Sequence, residues 1–245
     1  MKIADGIHWV GSGCAGLSAE GDCHVYLIEG RDALALVDCG KAKDPALILK
    51  NVREDGLDPA RIRYCFLTHS HFDHAGGCES LRGMGVSIVG SPIADAILRA
   101  GARDYYRLDP EDPQLRPWCE TPLSRVDIPI AHGQTFDLGG MKVRALLTPG
   151  HSPDSVSFVL TRQSDGTRHA FTGDAVFYRG MISVLAPPFS DLIGFREGLS
   201  PLAGLDIQGL FPGHLMWVLK GGQRHIDIAR EAFAHGQMPV QKPFS

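Results

Sequence analysis

The chain opens on short apolar runs bounded by Gly or Asp, at residues 7–10, 25–28 and 34–37. Runs of that length with such borders predict strands of a buried sheet. The rhythm then changes. Asp44-Pro45 starts an amphipathic stretch that ends near Asp55 and is stopped by Gly56; Asp suits an N-cap and Pro the first turn, so a helix is expected. Strands at 64–68 and 86–89, and helices at about 75–82 and 92–100, continue the alternation. Four prolines at 110, 113, 117 and 122 break it, and no regular structure is expected over 109–122. Strands are predicted again at 126–130, 141–147, 156–160 and 169–171, with a hairpin turn at Leu138-Gly139-Gly140-Met141. A helix over 191–205, a strand over 209–211 and a helix over 223–234 complete the pattern. Each half thus reads as strands followed by helices, a coarse duplication that suits two sheets packed face to face with helices outside.

Composition narrows the class. At 245 residues, 44% hydrophobic and 21% charged, the chain lies near the averages for a globular protein. It can bury roughly 70–75% of its unfolded surface without covalent staples. A single domain over residues 1–245 is expected. The longest unbroken apolar stretch, 33–37, is far short of the roughly 20 residues needed to span a bilayer, and residues 1–10 lack the apolar core of a secretory signal. The net charge of −4, without a Lys/Arg run, disfavours nucleic acid as a partner. Cys14, Cys23, Cys39, Cys65, Cys78 and Cys119 are scattered without a C-x-x-C and read as reduced thiols of a cytoplasmic protein.

The chemistry recurs at one kind of place. Four times an apolar strand ends, the chain turns on Thr, Pro or Gly, and a ligand-type residue follows: His69, His151, Asp174 and His214. Four such endings point to strands that aim their ends at a shared edge, where ligand sites of α/β proteins lie. The first continues as His69-Ser70-His71-Phe72-Asp73-His74. Alternation places His69, His71 and Asp73 on one side of an extended segment, and clustered imidazoles beside a carboxylate repel one another's charge unless a cation is present. Imidazole with carboxylate and no thiolate matches Zn²⁺, and also Fe or Mn. Five His and two Asp exceed one tetrahedral shell, but suffice for two ions that share a carboxylate and keep an open position.

On these residues the sequence resembles the metallo-β-lactamase superfamily, and within it the glyoxalase II-like hydrolases. Thr68-His-Ser-His-Phe-Asp-His-Ala-Gly-Gly77 matches the H-x-H-x-D-H signature, and Thr148-Pro-Gly-His151, Thr172-Gly-Asp174 and Pro212-Gly-His214 match the later motifs in order. The resemblance covers residues 5 to 235 and implies a four-layer αββα sandwich. It implies that His69, His71 and His151 hold a first metal, that Asp73, His74 and His214 hold a second, and that Asp174 bridges both. Asp38, in Leu-Val-Asp-Cys-Gly40, matches a further position, read as orienting the metal loop.

The expected activity is hydrolysis of a small acyl substrate by metal-bound hydroxide, since one bound Zn²⁺ already lowers the pKa of water from 15.7 to about 7. Asp73 orients the nucleophile and shuttles its proton. A thioester is expected ahead of a lactone and both ahead of a β-lactam, because the carboxylate at Asp174 makes the metal pair less electrophilic. Only 31 residues follow His214, too few for the helical domain of glyoxalase II, so the thiol stays open. The alternatives are a lactonase of the same fold and a mononuclear iron enzyme of the persulfide dioxygenase kind. Tyr178 is a candidate substrate-binding residue, and the segment 101–122, with Tyr105, Tyr106 and Trp118, a candidate cover. The other histidines, His8, His24, His132, His169, His225 and His235, are expected at surface or cap positions.

Overall fold

The computed structural model describes residues 1–242; residues 243–245 of the expected single domain lie outside them. The chain divides into two compact units, residues 1–130 and 131–245.

In the first unit β1 (Lys2–Ala4), β2 (Ile7–Gly11), β3 (Val25–Glu29), β4 (Leu34–Val37), β5 (Ile62–Phe66), β6 (Ser87–Gly90) and β7 (Ile128–Pro129) form one sheet whose order follows the chain. Pairing is antiparallel from β1 to β4 and parallel from β4 to β7. Parallel neighbours need crossovers. These are α1 (Ala46–Glu54), then α2 (Phe72–Ala75) with α3 (Cys78–Gly83), then α4 (Pro92–Ala100), α5 (Ala102–Tyr106) and α6 (Arg116–Cys119). Local chemistry sets their ends: Ser91 Oγ accepts from Ala94 N at 3.0 Å, Pro92 occupies the first turn of α4, and Gly101 closes it at φ 80°. The core is built from Val25, Leu27, Leu34, Leu36, Val52 and Ile88, all buried. Because β4 and β5 run in parallel, the residues that follow them, Asp38 and His69, emerge at the same edge of the sheet.

The second unit carries β8 (Thr135–Asp137), β9 (Met141–Leu147), β10 (Val156–Arg162), β11 (Arg168–Gly173) and β12 (Ile207–Pro212), in the order β12-β11-β10-β9-β8, with α7 (Leu192–Gly198) and α8 (Gly222–Ala234). Leu146, Val159, Ala170, Phe195, Leu199 and Ile226 form its core. The antiparallel pairs β9–β10 and β10–β11 make β9 and β11 run the same way, and β12 is parallel to β11. The C-terminal ends of β9, β11 and β12 therefore lie at one edge, and the chain carries His151, Asp174 and His214 just beyond them.

The structure corrects several local expectations. The helix expected at 75–82 starts earlier, as α2 from Phe72, and is divided from α3 at Gly76-Gly77. The proline-rich stretch does hold a helical turn: Pro117 falls in the first turn of α6, where no N–H is needed. The strand expected at 126–130 shrinks to β7, because Val126 N donates to the Asp95 carboxylate at 2.9 Å and Ile88 N to that of Asp127 at 3.1 Å. The helix expected over 191–205 stops at Gly198, and Pro201 confines the rest to a short 3₁₀ turn, Ser200–Leu202. The edge strands β1 and β8 and the short α5 show no usable pattern, being only three to five residues long.

Three of the remaining histidines are buried rather than at the surface. His8 lies between the Asp55 and Glu29 carboxylates, at 2.7 and 3.2 Å. His24 Nδ1 is 3.0 Å from Ser12 Oγ. His169 packs on the Phe211 ring, and burial holds its pKa below the ordinary value. All six cysteines are free thiols. Among the described residues no helix is long and apolar enough to cross a membrane.

Candidate metal centre

In the first unit the ligand-type residues leave β5 through Leu67 and Thr68 and run into α2. His71 stays extended, at φ −63° and ψ 150°, and its carbonyl accepts from His74 N and Ala75 N at 3.0 and 2.9 Å. That switch from extended chain to helix within four residues gathers the side chains. The His69 ring lies 4.4 Å from that of His71 and 4.0 Å from that of His74, centroid to centroid. His69, His71 and His74 are buried. Asp73 is partly exposed, with Oδ2 at 3.6 Å from His74 Nε2.

Asp38 fixes the ring tautomers. It sits in the left-handed region at φ 61°, which Asp tolerates better than most residues, and it is buried. Its carboxylate accepts from Thr68 N and Thr68 Oγ1, both at 2.8 Å, and from His74 Nδ1 at 2.8 Å. Since Thr68 Oγ1 donates to Asp38, its lone pair faces His69 Nδ1 at 3.1 Å, which must be the donor. His69 and His74 thus each carry the proton on Nδ1 and present Nε2 as a lone-pair donor. Partners of this kind characterise metal-ligating histidines.

Burial opposes charge on His74, yet Cys23, Asp73 and Asp38 outweigh it, and its pKa is pushed well above the usual range. This pocket favours positive charge, which a proton or a metal ion can supply.

Close backbone packing holds the loop in place. Gly76 N donates to Gly40 O at 2.8 Å, and a Cβ on Gly76 would lie 2.0 Å from Lys41 O. Both atoms belong to main chain, so neither can swing away. Gly76→Ala is therefore expected to lose about 2 kcal/mol or more, lowering Tm by about 4–8 °C in a chain of this size. Thermal unfolding measures it, and an unchanged Tm would mean that the loop is not clamped there.

In the second unit His151 follows Gly150, whose φ of 144° and missing Cβ are both required, since a Cβ would lie 2.5 Å from Phe195 Cα. His151 Nδ1 is 2.7 Å from Ser183 O, and a carbonyl can only accept, so this imidazole also presents Nε2. His151 Nε2 and His214 Nε2 lie 3.7 and 3.5 Å from Asp174 Oδ2, and Lys242 Nζ 3.9 Å from the same oxygen. Asp174 and His151 are buried, while His214 is partly exposed. Gly213 N donates to Gly173 O at 2.8 Å, tying the ends of β11 and β12 together.

The structure thus gathers His69, His71, Asp73 and His74 in one unit, and His151, Asp174 and His214 in the other. Tyr178 enters a short 3₁₀ turn, Tyr178–Gly180, and its ring packs on His225 of α8 at 4.8 Å. Trp118, from the candidate cover, meets the His71 ring edge-on at 6.1 Å. Thr68 and Ser183 carry part of the geometry and were not singled out in the sequence. Thr68 had a signal, its place between a strand and the first ligand; a carbonyl such as that of Ser183 has none. The donor set, imidazole Nε2 atoms with two carboxylates and no thiolate, fits divalent transition metals.

A model of the metallo-β-lactamase superfamily matches residues 19–214. A beta-lactamase-like protein 2 homolog of Drosophila melanogaster is 30% identical over 199 residues, 78% of this chain and 58% of its own. An atrochrysone carboxyl ACP thioesterase of Passalora fulva is 30% identical over 196 residues, 78% of this chain and 47% of its own. The chain spans about half the length of these curated relatives. Among solved structures, a metallo-β-lactamase of Cronobacter sakazakii superposes with a TM-score of 0.73 at 22% identity, covering 96% of this chain and 93% of that one.

Proposed function

Because the chain belongs to the metallo-β-lactamase superfamily, we propose that it is a metal-dependent hydrolase of small acyl substrates, thioesters foremost, working as a single domain. The observation that carries this reading is the donor set: buried imidazoles whose Nδ1 atoms are engaged by Asp38, Thr68 and Ser183, together with the carboxylates of Asp73 and Asp174. On this proposal His69, His71 and His151 hold one ion, Asp73, His74 and His214 a second, and Asp174 lies shared by both. Zinc is the best match, and iron and manganese suit the same donors. When bound, such ions supply a nucleophile from water at neutral pH and polarise an acyl oxygen.

The chain's own residues do the rest. Asp73, partly exposed at the start of α2, orients the attacking water and accepts its proton. Asp38 and Thr68 keep His69 and His74 in the tautomer that presents Nε2. No Ser or Cys nucleophile is needed. Tyr178 remains the proposed contact to a substrate carbonyl. The thioester preference is supported by the carboxylate at position 174 and by the thioesterase name of the Passalora fulva relative.

The test measures metal content and turnover together. Protein purified without chelator is expected to carry about two transition-metal ions per chain and to lose activity on chelation. It is expected to hydrolyse acyl-thioesters with a higher kcat/KM than lactones, and both above a chromogenic cephalosporin. Lactone turnover above every thioester would make this a lactonase. Cephalosporin turnover above both would overturn the ranking, and a single iron per chain with O₂ uptake would replace the hydrolase by an oxygenase.

A further inference from the structure

A cavity of about 270 Å³ in the first unit is lined by Lys41, Lys43, Phe72, Arg116, Glu120 and Thr121, among others. It adjoins the ligand loop: Phe72 stands between His71 and Asp73, Lys41 Nζ lies 5.7 Å from its ring centroid, and Trp118 meets that ring edge-on at 5.0 Å. Among the described residues Lys41, Lys43 and Arg116 form no ion pair with any carboxylate. Three cations facing one cavity repel one another, and the one acidic group in the lining leaves a net of two positive charges. A phosphate monoester carries about −1.5 to −2 at neutral pH. It also matches the donors, because guanidinium grips phosphate with two N–H groups while ammonium acts as a point charge. A lone carboxylate would neutralise only half of the excess.

We propose that this cavity is a phosphate subsite of the hydrolase, one that selects thioesters whose thiol is a phosphorylated pantetheine. The proposal rests on the thioesterase reading and adds to it the carrier: the acyl-thioester enters the metal centre while Lys41, Lys43 and Arg116 hold the phosphate.

The experiment compares pairs of substrates that differ by one phosphate: acyl-4′-phosphopantetheine against acyl-pantetheine, and acyl-coenzyme A against acyl-dephospho-coenzyme A. The phosphorylated member of at least one pair is expected to show a kcat/KM higher by about tenfold or more, carried mainly by KM. In the Lys43→Ala/Arg116→Ala double variant that ratio should fall towards one. A preference confined to the first pair assigns the subsite to phosphate at the end of the pantetheine arm, and one confined to the second assigns it to the nucleotide's 3′-phosphate. Equal kcat/KM within both pairs, or a preference that survives in the double variant, overturns the subsite while leaving thioester hydrolysis intact. If no thioester is turned over, the functional reading fails instead. The subsite is then judged by calorimetric titration of 4′-phosphopantetheine and pantetheine: phosphate-dependent binding lost in the double variant supports it, and equal binding of the two, or none, overturns it.

Discussion

Asp73→Ala is expected to retain less than about one hundredth of kcat, a loss of about 2.7 kcal/mol in transition-state stabilisation, with little change in the Tm of the metal-free protein. The two halves of this result have separate causes. The Asp73 side chain is partly exposed, with Oδ2 at 3.6 Å from His74 Nε2. The backbone tie at this position, from Cys23 N to Asp73 O at 3.2 Å, survives the substitution. Little folding energy therefore depends on the carboxylate. Turnover depends on it twice in the proposed mechanism, as a metal ligand and as the group that positions water and takes its proton. Steady-state kinetics on metal-loaded protein and thermal unfolding of the apo form separate these effects. A variant that keeps more than about a tenth of kcat, a loss below about 1.4 kcal/mol, would remove Asp73 from both roles.

Substitution of Asp38 acts in the opposite sense, through position rather than chemistry. Asp38→Ala leaves Thr68 N, Thr68 Oγ1 and His74 Nδ1 without their acceptor in a buried pocket, and places Ala at φ 61°. The expected cost is about 3 kcal/mol or more, or a Tm lower by about 6–12 °C. Asp38→Asn is the sharper test, because Asn tolerates the left-handed backbone and can still accept from Thr68 N. Its amide N–H₂, however, faces His74 Nδ1 and turns that atom into an acceptor. The ring proton moves to Nε2, where the metal should bind. Metal affinity, measured by competition with a chelator, is expected to fall by about 10–100-fold, with Tm reduced less than in the Ala variant. Wild-type affinity in Asp38→Asn would show that the His74 tautomer is not set by Asp38.

Much of the candidate centre was legible in the chain because its residues are local. His69, His71, Asp73 and His74 fall within six positions, and the spacing alone puts them together whatever the sheet does. The apolar runs that became β3, β4, β9 and β10 and the helices α1, α4 and α8 were equally readable, since a strand buried on both faces is apolar throughout and a helix buried on one face repeats its apolar positions at 3.6. Pro117 and Pro201 show where such reading stops. The same residue type that forbids a helix interior opened α6 and ended the segment after α7, and only its position relative to a first turn decides which. His8, His24 and His169 show it again, because a histidine reads as polar until neighbouring carboxylates, a hydroxyl or an aromatic ring receive it in the interior. What tertiary structure alone decided is the hydrogen-bond chain from Asp38 through Thr68 to His69 and His74, and the carbonyl of Ser183 under His151. Asp38 is 30 residues from Thr68 and Ser183 is 32 from His151. Their contacts exist because parallel β4 and β5 end at one edge, and because β9 is followed by a turn tight enough to require Gly150. A sequence states which side chains are able to donate or accept; the pairing of strands far apart in the chain determines which of them meet, and so which nitrogen of each imidazole is left to bind.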